Sequence, residues 1–125
     1  MIEQPILQGK VKSVYDVPND ATKVTIKFHD KVTAWNGRHV EFPEEKGKIC
    51  CLISALLFEK LEKSGIRTHF LGTEGLDTML CKKLTIIPVE VIVRNIAAGS
   101  IVKNTNISEG TIIQPAIVEY FLKEK

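Results

Sequence analysis

The sequence predicts an α+β fold, an antiparallel sheet with one packed helix followed by further strands. Three observations predict it: two alternating runs flank a short turn, one long stretch carries apolar residues at helical spacing, and β-rich runs return after that stretch. The order strand, strand, helix, strands suits a sheet with a helix laid on one face. With 125 residues, the chain has room for one domain or two very small ones.

The elements follow in order. In residues 11–17, Val11, Ser13, Tyr15 and Val17 alternate with Lys12, Val14 and Asp16, and Pro18-Asn19-Asp20 signals a turn. In residues 23–29, Val24, Ile26 and Phe28 take one face and Lys23, Thr25, Lys27 and His29 the other. Two such runs around a turn read as an antiparallel hairpin. Residues 30–45 have no clear period and hold Asn36-Gly37 and Pro43, so they read as a loop. Residues 46–63 read as a helix, because Ile49, Leu52, Ile53, Leu56 and Leu57 fall at i, i+3, i+4, i+7 and i+8 and form one apolar stripe. Glu59 and Lys63 stand at i,i+4 in the favourable order. Ser64-Gly65 ends the helix, since glycine accepts the left-handed conformation there. Residues 67–71, 77–84 and 89–95 are strand candidates, with a turn at Thr73-Glu74-Gly75. The apolar run 111–122 is β-rich and interrupted by Pro115.

Composition excludes several classes. Hydrophobic content of 44% and charged content of 26% describe a folded protein rather than a disordered one. A net charge of +2 nominates neither nucleic acid nor membrane as a partner. Basic residues interleaved with stacking aromatics, as a single-strand binder needs, are missing. No apolar run approaches the ~20 residues of a membrane span, and the N-terminus lacks a signal-peptide pattern, so a soluble cytoplasmic protein is expected. The three cysteines, Cys50, Cys51 and Cys81, show no metal-ligand spacing and read as small hydrophobes.

Three clusters could carry chemistry. In Gly9-Lys10-Val11-Lys12-Ser13-Val14-Tyr15, a strand would put Lys10 and Lys12 on one face about 6.6 Å apart, at about 3.3 Å per residue. That is either a solvated pair or a place for an anion between like charges. It is neither a Walker A loop nor a dinucleotide fingerprint. In residues 86–95, Ile87, Val89, Val91 and Val93 share a face and are expected in the core. Glu90, Ile92 and Arg94 share the other, as an ion pair or a site. After them, Ala97-Ala98-Gly99-Ser100 leads into a short helical turn that Ser100 could cap, and Arg94 could clamp an anion there.

Taken together these motifs resemble the SAICAR synthetase (phosphoribosylaminoimidazole-succinocarboxamide synthase) family. Residues 86–100, Ile-Ile-Pro-Val-Glu-Val-Ile-Val-Arg-Asn-Ile-Ala-Ala-Gly-Ser, match its signature at every defined position, and residues 9–15 look like its G-K-x-K-x-V-Y. Asp30-Lys31-Val32-Thr33-Ala34, Lys46-Gly47, Gly65-Ile66-Arg67-Thr68-His69 and Glu109-Gly110 fall in the family's order. The resemblance implies a sheet and helix like a kinase small lobe, with residues 1–84 a nucleotide-binding lobe and residues 85–125 the incomplete start of a substrate-binding lobe. It implies ATP-dependent joining of L-aspartate to carboxyaminoimidazole ribonucleotide (CAIR) through an acyl phosphate, with ATP and magnesium. Lys10 and Lys12 would meet ATP phosphates, and Lys82 and Leu84 would border the adenine. Glu90, Arg94 and Ser100 would hold CAIR.

Three departures stand out. The family's chains run to about twice this length, so this chain resembles the N-terminal half. The acidic residues expected to hold magnesium would lie in the other half, and little or no activity is expected of this chain alone. The alternative is a non-catalytic nucleotide- or phosphate-binding module derived from that enzyme. Trp35 stands where the family usually has glycine, and Cys50 and Cys51 where it commonly has asparagine. Residues Ile112, Ile113, Ile117, Val118, Tyr120, Phe121 and Leu122 would lack partners, and pairing with another copy of the chain (a homo-oligomer) is expected to compensate.

Overall fold

The computed structural model describes residues 4–34 and 38–123, so the sequence readings at Trp35, Asn36 and Gly37 lie outside the described residues. The chain divides into two compact units, residues 1–84 and 85–125.

The first unit is built on a five-stranded antiparallel sheet in the order β1-β2-β3-β7-β6. Its strands are β1 (Leu7–Gln8), β2 (Lys12–Val17), β3 (Asp20–Phe28), β6 (Phe70–Thr73) and β7 (Thr78–Lys82). The β2–β3 hairpin turns at Pro18-Asn19, where Asn19 takes φ 63°, a left-handed conformation that asparagine tolerates. Residues directly opposite each other share a face, and the register pairs Lys12 with Phe28, Val14 with Ile26 and Val24 with Cys81. Of the two alternating sets of β2, Lys12, Val14 and Asp16 therefore share the face of Phe28, Ile26 and Val24. Ser13 is nonetheless buried, with its hydroxyl 2.7 Å from His29 Nε2.

Residues 30–45 are not all loop. β4 (Val32–Ala34) and β5 (His39–Glu41) pair antiparallel, with Val32 opposite Glu41 and Thr33 opposite Val40. Three residues per strand are too few to display a period of two, so Asn36-Gly37 was the available sequence signal.

Helix α1 spans Lys46–Lys63, the predicted limits. Its end is a Schellman motif: Gly65 takes φ 80°, Gly65 N donates to Glu62 O at 2.9 Å and Ile66 N to Leu61 O at 3.0 Å. Its start is tied by Asp30, whose Oδ1 accepts from Gly47 N at 2.7 Å. That carboxylate satisfies a free N–H of the first turn and sits favourably against the helix dipole. The ion pair near the helix start is Lys48–Glu45, and Glu59–Lys63 is not among the ion pairs of the described residues.

The predicted stripe is real, but it faces away from the sheet. Gly47, Cys51 and Ala55 are the buried residues of α1, whereas Leu52 and Leu56 are 60% and 57% exposed, and Ile49, Ile53 and Leu57 are exposed as well. The small residues let helix and sheet approach closely, and a cluster of Val24, Phe28, Cys51, Ala55, Phe70, Met79 and Cys81 fills the space between. Burying a side chain such as Phe28 or Met79 contributes about 1.5–3 kcal/mol.

The second unit is a two-stranded antiparallel ribbon, β8 (Val89–Ile96) with β9 (Ile112–Leu122), plus the short helix α2 (Ser100–Asn104). Pro115 does not break β9. Arg94 pairs with Ile117 and Ile96 with Ile112, so the residues between form a bulge in which proline's missing N–H leaves no ladder bond unmade. The expected core face of β8 is instead open: Val91 and Val93 are 57% and 66% exposed, as are Val118 and Tyr120 opposite them. A ribbon of two strands has no layer to bury that face against. Ile87 lies outside the strand, exposed. Ser100 is not the cap of α2. Gly99 holds that position with φ 68° and ψ −128°, a conformation glycine alone reaches cheaply, which frees the Ser100 hydroxyl. Among the described residues no helix is long and apolar enough to cross a membrane.

Candidate functional site

Polar side chains gather in both units. In the first, a cleft of about 230 Å³ is lined by Val11, Lys12, Phe28, Lys46, Cys50, Ile53 and Ser54. Lys12 reaches it because β2 turns its even-numbered residues toward α1. The lysine Nζ sits 4.6 Å from the centroid of the Phe28 ring, a contact that contributes about 0.5–1 kcal/mol at an exposed site. Four of the described lysines of this unit are matched to carboxylates, Lys23 to Asp20 at 2.9 Å, Lys27 to Asp77 at 3.9 Å, Lys48 to Glu45 at 3.1 Å and Lys83 to Asp16 at 2.5 Å; Lys12 and Lys46 are not among them. Among the described residues Lys12 has no carboxylate within salt-bridge distance.

Lys46 was not singled out for chemistry from the sequence, yet it lines the same cleft and donates to Lys31 O at 3.1 Å. Its signal was position, at the start of the helix beside the glycine that packs on the sheet. Two ammonium groups on one small cleft favour an anion there. Burial pushes the Cys51 thiol upward and the Cys81 thiol up to about 11, so these two stay protonated at neutral pH.

Lys10 is not beside Lys12 on a strand. Gly9-Lys10-Val11 form the connection between β1 and β2, closed by Gly9 N donating to Lys12 O at 2.8 Å, and Lys10 is exposed at its tip. Lys82 is opposite Lys23, on the sheet face that Lys12 does not share, and donates to Thr68 O at 3.3 Å. Leu84 is exposed beyond the end of β7. The structure thus separates Lys82 and Leu84 from the lining of the Lys12 cleft.

In the second unit the centre is Arg94, a side chain only 13% exposed. Its Nε donates to Glu119 Oε2, its Nη1 to Ala98 O at 2.7 Å and its Nη2 to Ser100 Oγ at 2.7 Å. Arg94 and Ser100 are thus brought together as the sequence suggested. Glu90, four residues along the strand and about 13 Å away at strand rise, is exposed and does not pair with Arg94. The arginine's carboxylate is Glu119 on β9, which the sequence reading did not single out. Its signal was a lone acid inside the apolar run 117–122. Among the described residues no three His, Cys, Asp or Glu side chains gather to hold a metal ion.

Comparisons with known proteins agree with this architecture. A phosphoribosylaminoimidazole-succinocarboxamide synthase of Sulfurisphaera tokodaii is 47% identical over 117 residues, 94% of this chain and 49% of that protein. The crystal structure of the Ehrlichia chaffeensis synthase superposes with a TM-score of 0.90 at 37% identity, over 97% of this chain and 51% of that one. A SAICAR synthetase (Type-2) solved in complex with ADP gives a TM-score of 0.88 at 36% identity, over 94% and 50%. These matches define the class first, an α+β fold shared with ligases of purine biosynthesis. The chain belongs to the SAICAR synthetase family, whose family model matches residues 5–125. It spans about half the length of the curated relatives it matches.

Proposed function

We propose that this chain carries the ATP-phosphate site and the substrate-phosphate site of an ATP-dependent ligase that joins L-aspartate to CAIR. The observation that supports it most is Lys12, an ammonium without a carboxylate partner among the described residues, lining a cleft with Lys46. An ADP complex in a family member adds to it.

In this reading Lys12 and Lys10 hold ATP phosphates, and Lys82 and Leu84 border the adenine. Arg94 and Ser100 hold the CAIR phosphate, and Glu90 faces CAIR. A carboxylate oxygen of CAIR attacks the γ-phosphorus and ADP leaves. The aspartate amine then attacks the acyl carbon, phosphate leaves with the C–O electron pair, and the amine loses a proton. Lysine ammonium groups neutralise charge on the phosphates, which is most of what phosphoryl transfer asks of a protein. Magnesium would add the same kind of neutralisation.

ADP release with ATP, magnesium, CAIR and aspartate, against mixtures lacking CAIR or aspartate, tests this. Because the chain spans half the family's length, release close to background is expected, and whatever release occurs needs both substrates. Release well above background that is indifferent to CAIR and aspartate would overturn the ligase reading, as would a folded chain that binds neither ATP nor CAIR.

A further inference from the structure

We propose that Glu119 is a positioning residue, which fixes the guanidinium of Arg94 so that it presents two N–H groups to an oxyanion. The inference rests on the reading of Arg94 as a phosphate ligand and adds a residue to that site. An arginine has five N–H donors in a planar fork. Three are committed, Nε to Glu119, Nη1 to Ala98 O and Nη2 to Ser100 Oγ. Two remain, one on each terminal nitrogen, which is the number a bidentate contact to phosphate uses.

The three contacts come from three places in the unit, which fixes the plane of the fork. Glu119 is on β9 opposite Ile92, diagonal to Arg94 and on the same face of the ribbon. Ala98 and Ser100 flank Gly99, whose conformation sets the direction of both their groups. Without Glu119, Arg94 would keep only the contacts at its tip, and the long side chain would regain rotamers. Glu119 is 23% exposed and Arg94 13%, so solvent competes little with either.

A carboxylate beside an arginine also has an opposite effect on an anion, because it cancels charge. The two effects differ in sign, so substitution separates them. Glu119→Gln keeps an oxygen acceptor for Nε and removes the charge, whereas Glu119→Leu keeps most of the volume and removes both. The probe is ribose 5-phosphate, titrated into the full chain with dissociation constants from isothermal calorimetry. The 15N–1H signal of Arg94 Nε and the backbone amide spectrum are recorded alongside.

Expected are affinity within about threefold of the parent for Glu119→Gln, and at least tenfold weaker binding for Glu119→Leu. The Leu variant also shifts the Nε signal and leaves amide signals outside the second unit in place. Tighter binding by both variants would overturn the proposal and make Glu119 a competitor of the anion. Unchanged affinity in both would overturn it as well. Arg94→Gln keeps the two failures apart: if it leaves affinity unchanged, the phosphate reading of Arg94 itself fails. If it weakens binding while Glu119→Leu does not, only the positioning role fails.

Discussion

Gly47→Ala lowers the stability of the chain by about 1–3 kcal/mol, the usual cost of overpacking a filled interior. A Cβ at Gly47 would stand 2.8 Å from Phe28 O, 3.0 Å from Asp30 Oδ1 and 3.1 Å from Phe28 C. Two of those atoms are backbone of the central strand and cannot swing aside, and the third is the carboxylate that ties the start of α1. Helix propensity pulls the other way, since alanine is better than glycine by about 1 kcal/mol inside a helix. The expected net loss therefore says that close approach decides this position. In thermal unfolding each kcal/mol moves the midpoint by about 4–8 °C for a unit of this size. A midpoint equal to or above that of the parent would show that α1 lies farther from the sheet than described. Gly65→Ala, at φ 80° with open space around it, is the contrasting case, where backbone conformation alone supplies the cost.

Lys12→Met weakens ATP binding at least tenfold. Methionine keeps the apolar stem that covers Phe28 and removes the ammonium. Hydrogen bonds to charged groups are worth about 1.5–3 kcal/mol, which corresponds to roughly 10- to 150-fold in affinity. Raising the salt concentration should narrow the difference, because the cleft is open to solvent and its charges are screened. Lys27→Met is the control, since that lysine lies on the other face of the sheet against Asp77 and should leave ATP affinity unchanged. Equal affinity for Lys12→Met and the parent, by calorimetry, would remove Lys12 from the site.

How far the sequence reached can be read from α1. Its period and its Ser64-Gly65 stop set both ends, because they are local properties of the chain. Which face turns inward is not local. The eye follows Ile49, Leu52, Ile53 and Leu56, but the sheet takes Gly47, Cys51 and Ala55, whose small side chains allow close packing and whose spacing is equally helical. The same reason inverted the expectation for β8, where Val91 and Val93 form a core face only if a further layer covers them.

The sites divide along the same line. Arg94 and Ser100 are six residues apart, joined by a turn that glycine dictates, and their contact was legible. The partner of Arg94 on β9 depends on a ribbon register with a bulge in it, which no spacing along the chain displays. Lys10 and Lys12 were visible as a pair of charges. The connection after Gly9 parted them, and strand phase turned Lys12 toward Lys46. Lys82 was joined to them by resemblance alone, and the register puts it on the opposite face.

The most direct test of the central claim is a titration of the 15N-labelled chain with ATP, followed through backbone amide shifts. The account predicts that the largest shifts fall at residues 9–12, at Phe28 and at the start of α1 from Lys46 to Ser54, together with residues 82–84 beside the adenine. Shifts confined to the surface around Arg67, Thr68 and Lys82, or none at saturating ATP in a folded sample, would contradict it.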